Sequence, residues 1–525
     1  MKIVARLVQV ALAVLLLAPG AVGSDIANPA ARAKQSAEYS PHTAWELGYS
    51  GKGVAICIMD TGVDDSHPSL AGKWLGGVDA SKPQTPLTPR DGTFNADDTN
   101  GHGTTCSGIA MGTGAPGKEY QGTAPDARLV ELRIGTIFGA APGEGPSPIK
   151  LYDATLQGEQ WALAHKDQAW GPGGGQYKGI QVLSLSWGID VGGSSDGSDP
   201  YSQGLDRLVD AGVIVVNAAG NDGPSNDGLT GLSASSNAIV VGATDDQDTI
   251  DRSDDVIASY SSRGPRKDNG DDDPYNELKP DVCAPGTGIT QAEFDRAGNG
   301  AGNGYGARGS GTSYATPLVA GVCALLLEAN SNLTPPIVME ILRATAERRG
   351  NASVPELDPF WNREYGWGMV DAYEACRLAA RTEEDKVDVG LQAFVTNITQ
   401  KEGAFQARGL CWNRFGDIER AEARLDGGGW MRLHPEKGAA FGNWTLEVPP
   451  LPAGNHTLYV KSSSGGRESL VTLAEFNTTG PSPLTAALSG AIAWAGGAVA
   501  VAAAAGVSYW VIRKRKKGAE APAAS

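Results

Sequence analysis

The sequence lacks any excess of basic charge. Against 43 Lys and Arg stand 60 Asp and Glu, a net charge of −17 over 525 residues. A surface of that sign repels phosphate backbones, which argues against a nucleic-acid partner. It fits solubility or salty surroundings and says nothing of substrate. Cysteine is sparse too: Cys57, Cys106, Cys283, Cys323, Cys376 and Cys411 are the only six. Six allow 15 pairings, and sequence cannot choose among them. The first four lie in apolar strand or helix contexts, where a buried free thiol is as natural as a bridge. The remaining composition, 41% hydrophobic and 20% charged, is that of a globular protein long enough for two or three domains.

Charge is missing altogether from Leu484 to Ile512, and "RKRKK" follows at 513–517. About 20 apolar residues span a bilayer. A buried core helix seldom runs so long uncharged into a basic cluster, so the segment 484–512 reads as one transmembrane helix. Tyr509 and Trp510 would sit at its interface, with a basic cytoplasmic tail at 513–525. At the other end, Lys2 and Arg6 precede an apolar run and small residues ending near Gly23, the pattern of a signal peptide over 1–23. Both ends predict a single-pass protein of the cell membrane with residues 24–483 outside.

Between them, 24–41 reads as a short polar leader. From 42 to 380, buried-type strands ("AICIMD", "ARLVELRI", "IQVLSLSW", "GVIVVNAAG", "NAIVVGAT") alternate with helical patterns such as "TSYATPLVAGVCALLLEAN". That alternation predicts an α/β fold with a doubly wound parallel sheet, whose sites gather at the carboxyl ends of strands. After the linker "TEEDKVDVG", alternating strands and Gly-rich turns over 388–478 predict a small all-β sandwich. Its pattern resembles Ig-like or fibronectin-like modules. Sequons start at Asn332, Asn351, Asn397, Asn443, Asn455 and Asn477, all in the outer region, and make it a candidate glycoprotein.

The stretch "NGHGTTCSGIA" (100–110) sets His102 and Cys106 one helical turn apart, on one face. Such a pair serves a thiol nucleophile, a metal, or a base with a cysteine packed beside it. Three other segments bear on the choice. "AICIMDTGVD" ends a strand with Asp60, "VNAAGNDGP" leaves a strand through Asn221, and "GSGTSYATP" puts Ser313 just before a helix with Pro317 in its first turn. A serine hydroxyl needs a base during attack. The imidazole needs a carboxylate to fix its tautomer. The oxyanion needs donors already aimed at it, here an asparagine amide and a backbone N–H at a helix start. Asp-Thr-Gly also marks aspartic proteases, but those need two, and 60–62 is the only one.

The order Asp, His, Ser is that of subtilisin. With "DTGVDDSHPSL", "GHGTTCSGIA", "AAGNDGP", "SSRGP", "GTSYATPLVAG" and "GWGMVDA" in family order, residues 42–380 resemble the subtilisin-like serine proteases, the subtilases. The resemblance implies a serine endopeptidase acting on polypeptides through an acyl-enzyme. Asp60 would orient, His102 serve as base and acid, Ser313 attack and Asn221 hold the oxyanion. An extended substrate would lie along Ser186, Trp187 and Gly188 on one side and Ala218, Ala219 and Gly220 on the other. The floor, near Thr230 to Leu232, bears no charge, which suggests uncharged, apolar residues before the cut.

No cofactor or catalytic metal is implied. Structural calcium is common in the family, and the acidic stretches 244–255 and 266–277 offer oxygens, though without fixed ligand spacing. His67 reads as structural, and His42, His165, His434 and His456 as surface residues. Only some 20 residues separate the expected cleavage from "HTAWELGYSGKG", too few for the folded inhibitory propeptide that many relatives carry. The alternative is a catalytically inactive adhesion or scaffold protein on the same fold.

Overall fold

The computed structural model describes residues 24–80, 98, 100–135, 148–170, 177–295, 302–401, 404–434, 441–448 and 451–478. The expected signal peptide, transmembrane helix and basic tail lie outside these residues. The chain divides into two units, up to Val389 and from Gly390.

The first unit is built on a parallel sheet. Strands β1 (Ala55–Asp60), β2 (Trp74–Asp79), β3 (Arg128–Arg133), β6 (Val182–Leu185), β7 (Ile214–Ala218), β8 (Ile239–Asp245) and β10 (Val282–Pro285) pair in the order β10-β8-β7-β6-β1-β3-β2. Strand β9 (Val256–Ile257) adds antiparallel to β8, and β4 (Ala169–Trp170) with β5 (Tyr177–Lys178) forms a short separate hairpin. Every residue of β1, β6 and β7 is buried. Strands covered on both faces are apolar throughout rather than alternating, which is why these runs were visible in sequence.

Helices α1 (Ser24–Ala30), α2 (His102–Met111), α3 (Pro148–His165), α4 (Pro200–Asp210), α5 (Thr312–Ala329), α6 (Pro335–Thr345) and α7 (Ala372–Arg381) complete the unit, with a hairpin of β11 (Ile289–Ala292) and β12 (Tyr305–Gly309) just before α5. By length and composition α5 alone among the described helices is apolar enough to cross a membrane, but 83% of it is buried in the unit. It is the core helix, packed against α2, α7 and strands β6, β7, β8 and β10.

The stretch 24–41 is built into this unit. Asn28 is fully buried; its amide donates to Gln121 O (2.6 Å) and its carbonyl accepts from Thr123 Oγ1 (2.7 Å). Arg32 pairs with Asp371 (2.6 Å), Ala372 N donates to Ala31 O, and Arg252 donates to Ala30 O. Segments more than 300 residues apart are thus fastened together.

The second unit is all β. Strands β13 (Leu391–Lys401), β14 (Ala404–Asn413) and β17 (Phe441–Val448) form one antiparallel sheet. Strands β15 (Arg420–Leu425), β16 (Met431–Leu433), β18 (Gly454–Ser464), β19 (Arg467–Glu468) and β20 (Thr472–Thr478) form the other. Both close on one core of Ala393, Ala407, Cys411, Ala423, Trp444, Leu458 and Val460.

At the β10 edge of the first unit, Asp281 is fully buried between two cations. Lys279 Nζ donates to Oδ2 at 2.9 Å, and Arg343 Nε and Nη2 donate to Oδ1 at 2.9 and 2.5 Å. Val240 N donates to the same carboxylate at 2.7 Å, tying β8, β10 and α6 together. Burial pulls the Lys279 ammonium down to about 8 even beside that carboxylate. Removing the anion would leave two buried cations uncompensated, so Asp281→Ala is expected to cost roughly 3–5 kcal/mol. Urea unfolding of the variant against the parent chain measures it; a change below about 1 kcal/mol would contradict the expectation.

Candidate active site

Four chain segments converge at the carboxyl ends of β1, β6 and β7. Asp60 is the last residue of β1 and is 1% exposed. His102 opens α2, and its Nδ1 lies 2.8 Å from Asp60 Oδ1 and 3.0 Å from Oδ2. Asp60 Oδ1 also accepts from Thr61 N at 2.7 Å. The close fit depends on Gly103, where a Cβ would stand 2.0 Å from Gly62 O and 3.1 Å from Asp60 Cβ.

The N-terminus of α2 has no capping side chain of its own, since Gly101 occupies that position. Asp98 supplies it from upstream. Its Oδ1 accepts from Asn100 N, Gly101 N and Thr61 Oγ1, each at 2.9 Å. Its Oδ2 accepts from Thr104 N (3.0 Å) and Thr104 Oγ1 (2.6 Å). Thr61 Oγ1 in turn accepts from Gly103 N at 2.9 Å. One buried carboxylate therefore fixes both the helix that carries the imidazole and the turn that follows Asp60. Sequence reading passed over Asp98; the available signal was an acidic residue just upstream of a helix start.

Ser313 sits in the first turn of α5. Its hydroxyl donates to Ser186 O at 3.3 Å, and Ser186 Oγ donates to Ser313 O at 2.7 Å. His102, Ser313 and Asn221 all border one cleft of about 300 Å³. The Asn221 carbonyl oxygen accepts from Thr312 N (2.9 Å) and Thr312 Oγ1 (3.0 Å), which commits that end of the amide to the helix start. Its NH2 is thereby the end left for the cleft. The turn is held from behind by Ser262, whose N–H donates to Gly220 O and whose hydroxyl accepts from Asp222 N.

Of the expected substrate residues, Ser186, Trp187 and Gly188 line the cleft. Trp187 is 3% exposed and continues into the core that contains Leu232. Ala218 and Ala219 are buried behind the cleft, Ala219 against Leu229 and Val240, and Gly220 precedes Asn221 at φ +104°. Thr230 to Leu232 do not border the cleft. Its walls among the described residues hold no Asp, Glu, Lys or Arg.

All six cysteines are buried and unbridged. Cys106 lies beneath the imidazole, Sγ 3.8 Å from His102 Nδ1 and 3.5 Å from Ser313 O. His67 is fully buried, accepting from Ser69 N at Nδ1 (3.1 Å), so its Nε2 carries the proton donated to Gly304 O (2.9 Å). In the acidic stretch 266–277, Asp268, Asp271 and Asp273 accept from N–H groups of their own loop. In 244–255, burial pushes Asp246 and Asp255 up to about 7. Among the described residues only Asp60, His102 and Cys106 bring three such ligand atoms together.

With the geometry in hand, the kinship is direct. The sequence model of the subtilases (peptidase S8), a family of serine endopeptidases, matches residues 51–368, and the chain belongs to that family. It is 32% identical over 332 residues to serine protease AprX of Bacillus subtilis (strain 168), covering 62% of this chain and 66% of AprX. It is 31% identical over 345 residues to thermitase of Thermoactinomyces vulgaris, covering 65% of this chain and 96% of thermitase. The solved structure of S41 psychrophilic protease is 24% identical with a TM-score of 0.45, over 61% of this chain and 92% of that one.

Burial disfavours a charged His102, but the Asp60 carboxylate, together with the Cys106 contact, outweighs it and holds the imidazole well above its ordinary 6.5. Removing that charge leaves burial, which lowers the imidazole, opposed only by the Cys106 contact. The His102 ring protons, followed by NMR, should titrate above pH 6.5 in the parent chain and at lower pH in Asp60→Asn. Titration at the same pH in both would show that the carboxylate does not govern the imidazole.

Proposed function

We propose that this protein is a serine endopeptidase that cleaves polypeptides, with Ser313 as nucleophile, His102 as base and then acid, Asp60 as orienting carboxylate and Asn221 as oxyanion donor. The observation that carries the reading is the Asp60–His102 contact at 2.8 Å, in a cleft shared with a serine at a helix start and a pre-oriented amide. With Nδ1 bound to the carboxylate, Nε2 is the nitrogen free to take a proton. A turn about Cα–Cβ carries the Ser313 hydroxyl from Ser186 O towards that nitrogen, an adjustment common when substrate arrives. The oxyanion would then meet the Asn221 NH2 and the Ser313 N–H, which has no intrahelical acceptor in the first turn. Histidine next protonates the leaving amine, and water repeats the cycle on the acyl-enzyme.

The uncharged cleft walls support a preference for uncharged, apolar residues before the cut. The peptide would run along Ser186–Gly188 and past Ala218–Gly220 by adding to strand edges. No cofactor takes part. The chain is read as exported and anchored by residues 484–512, with the protease and an Ig-like or fibronectin-like module outside. All six sequon asparagines are exposed, which supports that side of the membrane.

Ser313→Ala should fold normally and lose activity by about the 10⁶-fold that subtilisin loses with its own nucleophile. A fluorophosphonate should label the parent at Ser313; an intact, unlabelled protein would instead be the inactive scaffold. Because the imidazolium cannot accept a proton, kcat/KM should rise with pH through the His102 pKa, an acid limb above pH 6.5. A flat profile between pH 6 and 8 would count against the histidine as base.

A further inference from the structure

The proposed chemistry uses Asp60 and His102 but leaves Cys106 unemployed, although its sulfur sits beside the same imidazole nitrogen. Carboxylate oxygen, Nδ1 and Sγ all lie within 4.8 Å of one another, with Nδ1 2.8 Å from oxygen and 3.8 Å from sulfur. A tetrahedral zinc ion, bonded at about 2.0–2.3 Å, holds its ligands roughly 3.3–3.6 Å apart. The two distances from Nδ1 bracket that spacing, and the carboxylate oxygen and the sulfur, within 4.8 Å of each other, would draw together on the ion. Thiolate with imidazole selects zinc or a similar borderline ion over calcium or magnesium. We propose that Asp60, His102 and Cys106 form an inhibitory zinc site whose occupation excludes catalysis.

The incompatibility follows from the tautomer. Zinc at Nδ1 takes the lone pair of that nitrogen and displaces its proton. Starting from neutral His102, that proton moves to Nε2, while the Cys106 thiol loses its proton to solvent as sulfur bonds to the metal. Nε2 then bears hydrogen and has no lone pair to accept the proton of Ser313. Asp60 and Cys106 are each 1% exposed, whereas the His102 side chain is 22% exposed on the cleft. The ion must therefore pass as the ring swings aside, so inhibition should set in slowly.

Binding needs no catalysis, while inhibition rests on the function proposed above, and two measurements separate them. Full-chain Ser313→Ala, which cannot digest itself, is titrated with cobalt(II) chloride as a spectroscopic substitute. A thiolate-to-cobalt absorption band in the near ultraviolet is expected, displaced by zinc and missing when Cys106→Ala is added. Circular dichroism checks that the double variant folds, and Cys106→Ser serves if it does not. In the active parent, zinc chloride should inhibit progressively and a zinc-selective chelator restore activity. Cys106→Ala should keep its activity and need at least roughly ten-fold more zinc for the same inhibition. Absence of the cobalt band, or equal zinc sensitivity without the thiol, would overturn the site. A cobalt band in a protein that never hydrolyses peptides would keep the site and refute the endopeptidase.

Discussion

The hydrogen bond from the His102 ring to Asp60 is the contact on which the architecture of the first unit turns. It requires the end of a central strand and the first residue of a helix 42 positions later to meet within 2.8 Å. The sheet supplies the first, because β1 lies between β3 and β6 and is buried along its whole length. The second depends on Asp98, whose two oxygens receive donors from the helix start and from the turn after Asp60. A buried carboxylate accepting several such donors is rigid because each lost bond would leave a buried group unpaired.

The residues that meet at the cleft stood out in the sequence because the serine-protease reading requires each of their types. A serine at a helix start, a histidine opening another helix, an aspartate ending an apolar strand and an asparagine between glycines are each marked by type and setting. Strands β1, β6 and β7 were visible for a different reason: full burial on two faces leaves a mostly apolar run. Core helix α5 was equally plain, and the apolarity that marks it is used inside the fold.

What escaped detection depends on partners far away in sequence. Strand β2 ("WLGGVD") and the β11–β12 hairpin are rich in glycine and have no strand-like run; pairing alone makes them strands. Asp98 stands in "NADDTN", where nothing local separates it from its neighbours. Lys279 and Arg343 look like surface cations until Asp281 is seen between them. The polar character of 24–41 hid the small buried residues Ala27, Ala30, Ala31 and Ala33, which pack by being small rather than by forming an apolar stripe.

That N-terminal strap has a temporal meaning. Its bonds to Asp371 and Ala372 join the beginning of the unit to its last helix. A chain emerging from a ribosome cannot make them until nearly the whole unit has been synthesised, and contacts that close so large a loop form late. Asn28 meanwhile bonds to Gln121 and Thr123 just beyond helix α2, where Thr123 N donates to Ile109 O. The segment that waits for the end of the unit is thus also the one that braces the far end of the histidine helix.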